Sequence, residues 1–410
     1  MNKDKKEGKN EIGKKRIMLI TPMLHQGGFE RICVFTARLL KDLYDVYLVV
    51  FSTKDIFYDV SGLHLIDLDL GAAEGKAGKA VNLYRRVKRL KNLKKELGID
   101  ITYSFGTTAN LANVLSKGKD TTWAGIRGYN ALSDRGAGLI FRRADCVVSC
   151  TRTMEDEINS AFRTKRSCTL YNPCSLEEIR ELSRRETDEG TEGRWKDFVN
   201  RRGALIVSMG REDDLKGFWH LLKCFAVVKR EIPDARLMII GDGSYAEYRK
   251  LAEDLGIMES VCFTGALKNP FPLLARADVY ALTSVSEGFP NAMIEAMVCG
   301  VPCISVNCKT GPSEILQDDH TVCRDRHKVY HADYGILAPI FEGEKDLNAD
   351  TITAEEEIFA QELKNILTDR ALYDHYKECA AERAGAFGTE RYRTDIVKMI
   401  EGQGEMRHEI

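Results

Sequence analysis

No apolar run in this chain approaches the ~20 residues a membrane-spanning helix needs. Residues 1–10 are charged, without the apolar stretch of a secretory leader. The expectation is a cytoplasmic protein. Twelve cysteines are present, yet no Cys-x-x-Cys pair occurs. Cys146/Cys150 and Cys299/Cys303 do not repeat a zinc-ligand spacing, and no nearby histidine pair completes one. Scattered thiols, several inside apolar runs, read as free and mostly buried in a reducing compartment. Neither a metal nor a cofactor is expected. Charge of one sign is lacking too: 60 Lys and Arg stand against 62 Asp and Glu. With no RNA-binding signature and no basic tail, nucleic acid is not an expected partner.

What is present fits two domains. A length of 410 residues exceeds one ordinary core. Apolar runs at 16–21, 46–51, 99–104, 123–126 and 146–150 alternate with helical stretches. That alternation predicts an α/β fold with parallel sheets covered on both faces. Further runs at 204–209, 235–240 and 277–283 repeat the pattern. The predicted organisation is a Rossmann-like domain over 1–174, a linker or excursion over 175–202, a second Rossmann-like domain over 203–385, and a terminal helical segment over 386–410. The histidines His320, His327 and His331 are irregularly spaced and read as a polar surface insertion at 317–333 rather than a metal site.

One stretch, residues 286–302, organises the second half: Ser286-Glu287-Gly288-Phe289-Pro290-Asn291-Ala292, then Glu295 and Cys299-Gly300-Val301-Pro302. It follows the apolar run 277–283. Pro290 suits the first position of a helix, and Gly300 with Pro302 suits its end. A helix starting beyond the carboxyl end of a parallel strand offers free N–H groups, around Asn291 and Ala292, to an anion. Glu287 lies before that helix and Glu295 more than a turn inside it, staggered along a ligand rather than sharing a proton. Taken alone, that spacing reads better as a surface loop and a solvated helix face.

The surrounding residues shift the reading. Glu-Gly-Phe-Pro-Asn with a downstream Ala-Met-x-Cys-Gly-x-Pro resembles the signature of retaining glycosyltransferases of family 4, glycosyl transferases group 1. The resemblance implies the GT-B fold, two Rossmann-like domains facing each other across a cleft, the first on the acceptor side and the second on the nucleotide-sugar side, with the C-terminal helix over 386–410 crossing back onto the first. It implies that Glu295 holds the ribose of a nucleotide-sugar, that Glu287 contacts the sugar or diphosphate region as a catalytic residue, and that the backbone of Phe289, Pro290, Asn291 and Ala292 binds phosphate. Arg211 and Lys216, after the strand 204–209 and before Gly217, match the family's diphosphate-binding pair. The segment ending at Leu267 resembles the nucleobase cradle. Gly27-Gly28 within Gly-Gly-x-Glu-Arg resembles the first-domain loop that closes over the donor, although Gly-Gly alone reads as a tight turn. His25 beside it, and Arg127 in the loop 125–130, are candidate acceptor contacts. For His25 a solvated imidazole, and for Arg127 a structural role, fit equally well. No catalytic base carries over at 125–130.

The resemblance further implies retaining, metal-independent transfer. Asp67-Leu68-Asp69 has the spacing of a metal-binding Asp-x-Asp, but lies in a first-domain apolar run away from these motifs. The expected donor is a UDP-sugar and the expected acceptor a glycan. Residues 76–95 carry Arg85, Arg86, Lys88, Arg89, Lys91, Lys94 and Lys95 between apolar positions at helical spacing. Such a helix suits an anionic membrane surface, or simply packs its apolar stripe with a solvated basic face. With the first reading, a lipid-linked acceptor for surface polysaccharide assembly and a peripheral position at the inner membrane face are expected. Two alternatives stand beside transfer: a nucleotide-sugar 2-epimerase on the same fold, and a non-catalytic glycan- or nucleotide-binding protein.

Overall fold

A computed structural model describes residues 13–402 apart from 135, 165, 186–194 and 196. Most of the excursion expected at 175–202 therefore lies outside the described residues, beyond a helix Leu176–Arg184. The chain forms two compact units. One runs up to Ser149 and includes Ile158–Cys168; the other comprises Cys150–Glu157 and the chain from Thr169 onward. The second unit thus takes residues 150–157, which lie before the boundary expected at 174, and the last described helix, Thr389–Glu401.

The first unit is built on strands β1 (Arg16–Thr21), β2 (Asp45–Val50), β3 (His64–Asp67), β4 (Ile101–Phe105), β5 (Thr121–Ile126), β6 (Cys146–Ser149) and β7 (Ser167–Thr169), in the order β3-β2-β1-β4-β5-β6-β7. The pairings among β1 to β6 are parallel. Ile17, Met18, Leu19 and Ile20 are all buried, so β1 is covered on both faces, which explains its continuous apolar run. The helix Gly75–Glu96 seals one edge of this core through Leu90 and Leu93, with Leu83 and Val87 packed beside them.

The same helix buries a cation. Lys94 Nζ donates to Asn113 Oδ1 at 2.8 Å and Asp120 Oδ2 at 3.0 Å, while the Thr102 hydroxyl donates to that same oxygen. Lys94 is therefore a core residue, not part of a solvated basic face. Arg86 also leaves that face. Its guanidinium donates to the carbonyls of Leu70 and Gly71 and lies 4.3 Å from the centre of the Phe51 ring. Arg85, Lys88, Arg89, Lys91 and Lys95 stay exposed, with Val81 and Tyr84 exposed among them.

The second unit repeats the plan with β8 (Leu205–Met209), β9 (Arg236–Ile240), β10 (Val261–Phe263), β11 (Val279–Leu282), β12 (Cys303–Val306), β13 (Tyr330–Ala332) and β14 (Gly335–Ala338), ordered β10-β9-β8-β11-β12-β14-β13. β13 runs antiparallel to β14, so the stretch expected as a surface insertion at 317–333 ends as an edge strand. In both sheets the order of the parallel strands reverses near the middle, between β1 and β4 and between β8 and β11. Loops leaving neighbouring strands on opposite sides open a crevice there, the ligand position of open α/β sheets.

Candidate functional site

The loops after β8 and β11 carry the residues that matter in the second unit. After β8 the chain runs through Arg211 to a short 3-10 turn, Asp214–Lys216, capped by Asp213, whose carboxylate accepts from the Leu215 N–H at 3.0 Å. The turn ends at Gly217, with φ +60°, where a Cβ would stand 2.2 Å from the Thr283 carbonyl oxygen. Only glycine allows that approach without displacement. The close passage binds the two loops: Val285 N–H donates to the Leu215 carbonyl at 2.9 Å and the Thr283 hydroxyl to the Lys216 carbonyl at 3.2 Å. Lys216 is thereby delivered to Glu287, with Nζ donating to Oε1 at 2.7 Å and the side chains 27% and 10% exposed.

Glu287 is held from behind by the Thr310 hydroxyl, which donates to its backbone carbonyl. Its charge is felt nearby: burial first, then Glu287, pushes the Cys308 thiol up to about 12. The helix following Glu287 spans Asn291–Val298. Pro290 is its N-cap rather than its first residue, because the turn 289–291 is closed by Asn291 N–H donating to the Phe289 carbonyl. Gly300, at φ +73°, ends it as expected. At Gly311, φ +98°, a Cβ would meet Pro290 Cδ at 2.5 Å, so the loop after β12 lies directly against the helix entry. Of the first-turn N–H groups, Asn291 donates to the Phe289 carbonyl at 2.9 Å and Met293 to the Pro290 carbonyl at 3.0 Å, so the Asn291 N–H expected to be free is engaged in this turn, while the helix start still presents its positive dipole end to an anion. Glu295, 6% exposed, sits in the second turn. Leu267 lies half-buried in the loop after β10.

Arg211 points differently from Lys216. Its side chain is 71% exposed and pairs with Asp213 Oδ2 at 3.1 Å. Lys216 and Glu287 are thus in direct contact, the start of the helix Asn291–Val298 follows Glu287, and Arg211 rests on its neighbour Asp213.

Several contributors carried no readable signal. Glu212, directly after Arg211, has a defined task. Its Oε2 accepts from the Tyr245 N–H at 2.9 Å and the Ser244 hydroxyl at 3.2 Å, and the Tyr245 hydroxyl donates to the Gly210 carbonyl at 2.9 Å. The loop bearing Arg211 is thus pinned to the loop after β9. Glu314 takes the N–H groups of Arg152 and Thr153 at 2.7 and 2.9 Å and the Tyr171 hydroxyl at 2.9 Å. Burial and then Glu314 hold the Tyr171 phenol well above its ordinary range. The Tyr171 ring packs 5.3 Å from that of Phe289, and Asn172 Nδ2 donates to Asn291 Oδ1 at 3.1 Å. The helix entry is therefore positioned by Tyr171 and Asn172, which lie just before the domain boundary expected at 174.

In the first unit the loops after β1 and β5 carry the remaining candidates. Gly27 caps the helix Gly28–Leu40 in extended conformation, its N–H donating to the Tyr58 hydroxyl at 3.0 Å and its carbonyl accepting from it at 2.7 Å. His25 Nε2 donates to the Lys54 carbonyl at 3.2 Å, which fixes the ring against the loop after β2. Arg127 donates to the Tyr103 hydroxyl and lies 5.8 Å from the Phe105 ring centre. Asp67, the first member of Asp67-Leu68-Asp69, accepts from the Thr53 N–H at 3.1 Å and the Asp69 N–H at 2.8 Å, a turn-forming role.

Comparison with known proteins gives this geometry a setting. Residues 191–329 match the family glycosyl transferases group 1. The chain is 30% identical over 268 residues to an uncharacterised glycosyltransferase of Methanocaldococcus jannaschii, covering 64% of each chain. It is 24% identical over 397 residues to a Campylobacter jejuni enzyme, N-acetylgalactosamine-N,N'-diacetylbacillosaminyl-diphospho-undecaprenol 4-alpha-N-acetylgalactosaminyltransferase, covering 92% of this chain and 97% of that one. Its fold matches the Anabaena protein HepE, solved in complex with UDP, with a TM-score of 0.70 at 15% identity over 94% of this chain and all of that one.

Proposed function

We propose that this chain, whose residues 191–329 match glycosyl transferases group 1 and whose two units are each built on a Rossmann-like sheet, moves a sugar from a UDP-sugar to a glycan acceptor, with retention of anomeric configuration as in family 4. The observation that carries this reading is the contact of Lys216 with Glu287 at the β8/β11 switch point, beside the start of the helix Asn291–Val298. As the bond from the anomeric carbon to the diphosphate oxygen breaks, negative charge grows on the leaving oxygens. Lys216, Arg211 and the N–H groups at that helix start stabilise it where a metal ion would serve in other transferases. Glu295 accepts from the ribose hydroxyls, and Leu267 borders the base. Glu287, holding Lys216 before the donor arrives, orients both the lysine and the sugar. In this reading the first domain supplies Gly27 and Gly28 to the donor and His25 and Arg127 to the acceptor, and domain closure excludes water.

The test is nucleoside diphosphate release from UDP-, GDP- and ADP-sugars, with and without EDTA, in the wild type, Lys216→Ala and Glu295→Ala. Release from the UDP-sugar that persists in EDTA and is lost in both variants supports transfer without metal. EDTA inhibition would overturn the metal-independent part. Donor-induced thermal stabilisation without release, even with acceptors added, would favour a binding protein; conversion of the sugar with diphosphate retained or transiently lost would favour an epimerase.

The acceptor we propose is a lipid-linked glycan intermediate, reached at an anionic membrane face through exposed Arg85, Lys88 and Arg89 with Tyr84 and Val81 among them. The relative in Campylobacter jejuni, whose name specifies a diphospho-undecaprenol acceptor, supports this class. Each near-surface cation contributes about 1 kcal/mol on such a membrane. Reversing all three to Glu is therefore expected to weaken binding to phosphatidylserine vesicles by at least about a hundredfold, since ~1.4 kcal/mol is tenfold. Arg86 is left intact because it supports the loop after β3. Unchanged vesicle binding would rule out this surface.

A further inference from the structure

Among the twelve cysteines, only Cys146, Cys168, Cys299 and Cys379 are part-exposed; the others are buried. Two of the four meet. Cys146 opens β6 and Cys168 is the middle residue of the adjacent strand β7, and their sulfur atoms stand 3.1 Å apart. Neighbouring strands hold side chains at a separation that matches the Cα and Cβ spacing of a disulfide. The register is fixed on either side, with Val147 N–H donating to the Arg166 carbonyl at 2.7 Å and the Ser149 hydroxyl to the Cys168 carbonyl at 3.2 Å. Little backbone movement separates the thiol pair from a bond. The other two part-exposed thiols are poorer nucleophiles: burial, then Glu295, pushes Cys299 up to about 12, and burial raises Cys379.

We infer that Cys146 and Cys168 form a dithiol site that closes to a disulfide on reaction with a low-molecular-weight disulfide. The thiolate of one cysteine attacks a sulfur of the oxidant, forming a mixed disulfide and releasing one small thiol. The second cysteine then attacks the protein sulfur of that mixed disulfide and releases the other. The protein loses two electrons and two protons, and the small disulfide gains both as two thiols. In a reducing compartment such a bond is transient and reports redox state rather than serving as a permanent staple. Its structural effect is local and definite. β7 is a three-residue strand at the sheet edge, and the bond fixes it to β6. The chain leaves that strand directly into the segment bearing Tyr171 and Asn172, which hold Phe289 and Asn291 at the start of the site helix. The site is therefore coupled through the backbone to the segment that positions the donor helix. The inference does not depend on the proposed transfer reaction.

The experiment uses the whole reduced protein and glutathione disulfide, quenched with an alkylating reagent and mapped by peptide mass spectrometry. The expected first product has lost two hydrogens and links the peptides containing Cys146 and Cys168. Cys146→Ser and Cys168→Ser should each stop at a mixed disulfide with glutathione on the remaining partner. If a first cross-link joins other cysteines, or both thiols remain alkylatable while others oxidise, the inference fails. An aryl trivalent arsenical, which requires two adjacent thiols, tests the unmodified wild type should a variant not fold. One equivalent should protect Cys146 and Cys168 together from alkylation, and protection of neither would overturn the site.

Discussion

Single residues set how firmly the cations of the proposed donor site are held. Glu212 is the clearest case, since its carboxylate accepts from the Ser244 hydroxyl and the Tyr245 N–H and so ties the loop after β8 to the loop after β9. Glu212→Leu removes that acceptor and leaves the Tyr245 N–H to find another. The expected result is a roughly tenfold rise in donor KM, or ~1.4 kcal/mol of binding, with Glu212→Gln near wild type because its amide oxygen still accepts. Equal affinity in the leucine variant would show that Arg211 is placed without this tie. Glu212 follows Arg211 directly in the chain, yet its partners are 32 and 33 positions away. Glu314 lies further out of reach, with partners as distant as 162 positions. Lys216, Glu287 and Glu295 could be singled out in the sequence because a compact motif and a strand-end glycine mark them. Residues that act on the site through another loop leave no such local mark.

At the scale of elements, the strands were the most readable feature, since both-face burial makes central strands continuous apolar runs. β1, β8 and β9 sit within a residue of their expected bounds. The short edge strands β7 and β13, three residues each, offer too few positions for a period to show. The basic helix was read correctly as helical, but its polar positions were not equivalent. Lys94 and Arg86 turn inward because the core supplies Asp120 for one and the carbonyls of Leu70 and Gly71 for the other. Loop-to-loop packing yields a prediction at this scale. Gly217→Ala must hold a left-handed residue, about 1–2 kcal/mol, and also push the Thr283 carbonyl away from a Cβ otherwise 2.2 Å distant. It should lower the unfolding midpoint and abolish nucleoside diphosphate binding, because the displaced turn carries Lys216. A variant that unfolds earlier but binds normally would separate the turn from the site.

On the scale of the whole molecule, each unit has its own apolar core. Damage to one can therefore be read against the other. Lys94→Met strands the buried Asp120 carboxylate and is expected to cost the first unit about 3–5 kcal/mol. Hydrogen exchange should quicken at β4 and β5, while the amides around Glu287 keep their wild-type rates; uniform slowing or no change would contradict the role given to Lys94. The same pair gives a pH dependence. Burial pushes the Asp120 carboxyl upward, but Lys94 and the hydrogen bonds from Gly118 and Thr102 outweigh it and hold it below the ordinary value. A depressed folded pKa means that this stabilisation is present above the unfolded carboxylate value, ~3.9, and is lost as pH falls through the folded one. The proposed donor site is expected to depend differently on solution conditions. Its two cations already have carboxylate partners, Asp213 for Arg211 and Glu287 for Lys216. An arriving diphosphate exchanges one anion for another and displaces few mobile ions, so its affinity falls less steeply with ionic strength than two bare cations would dictate.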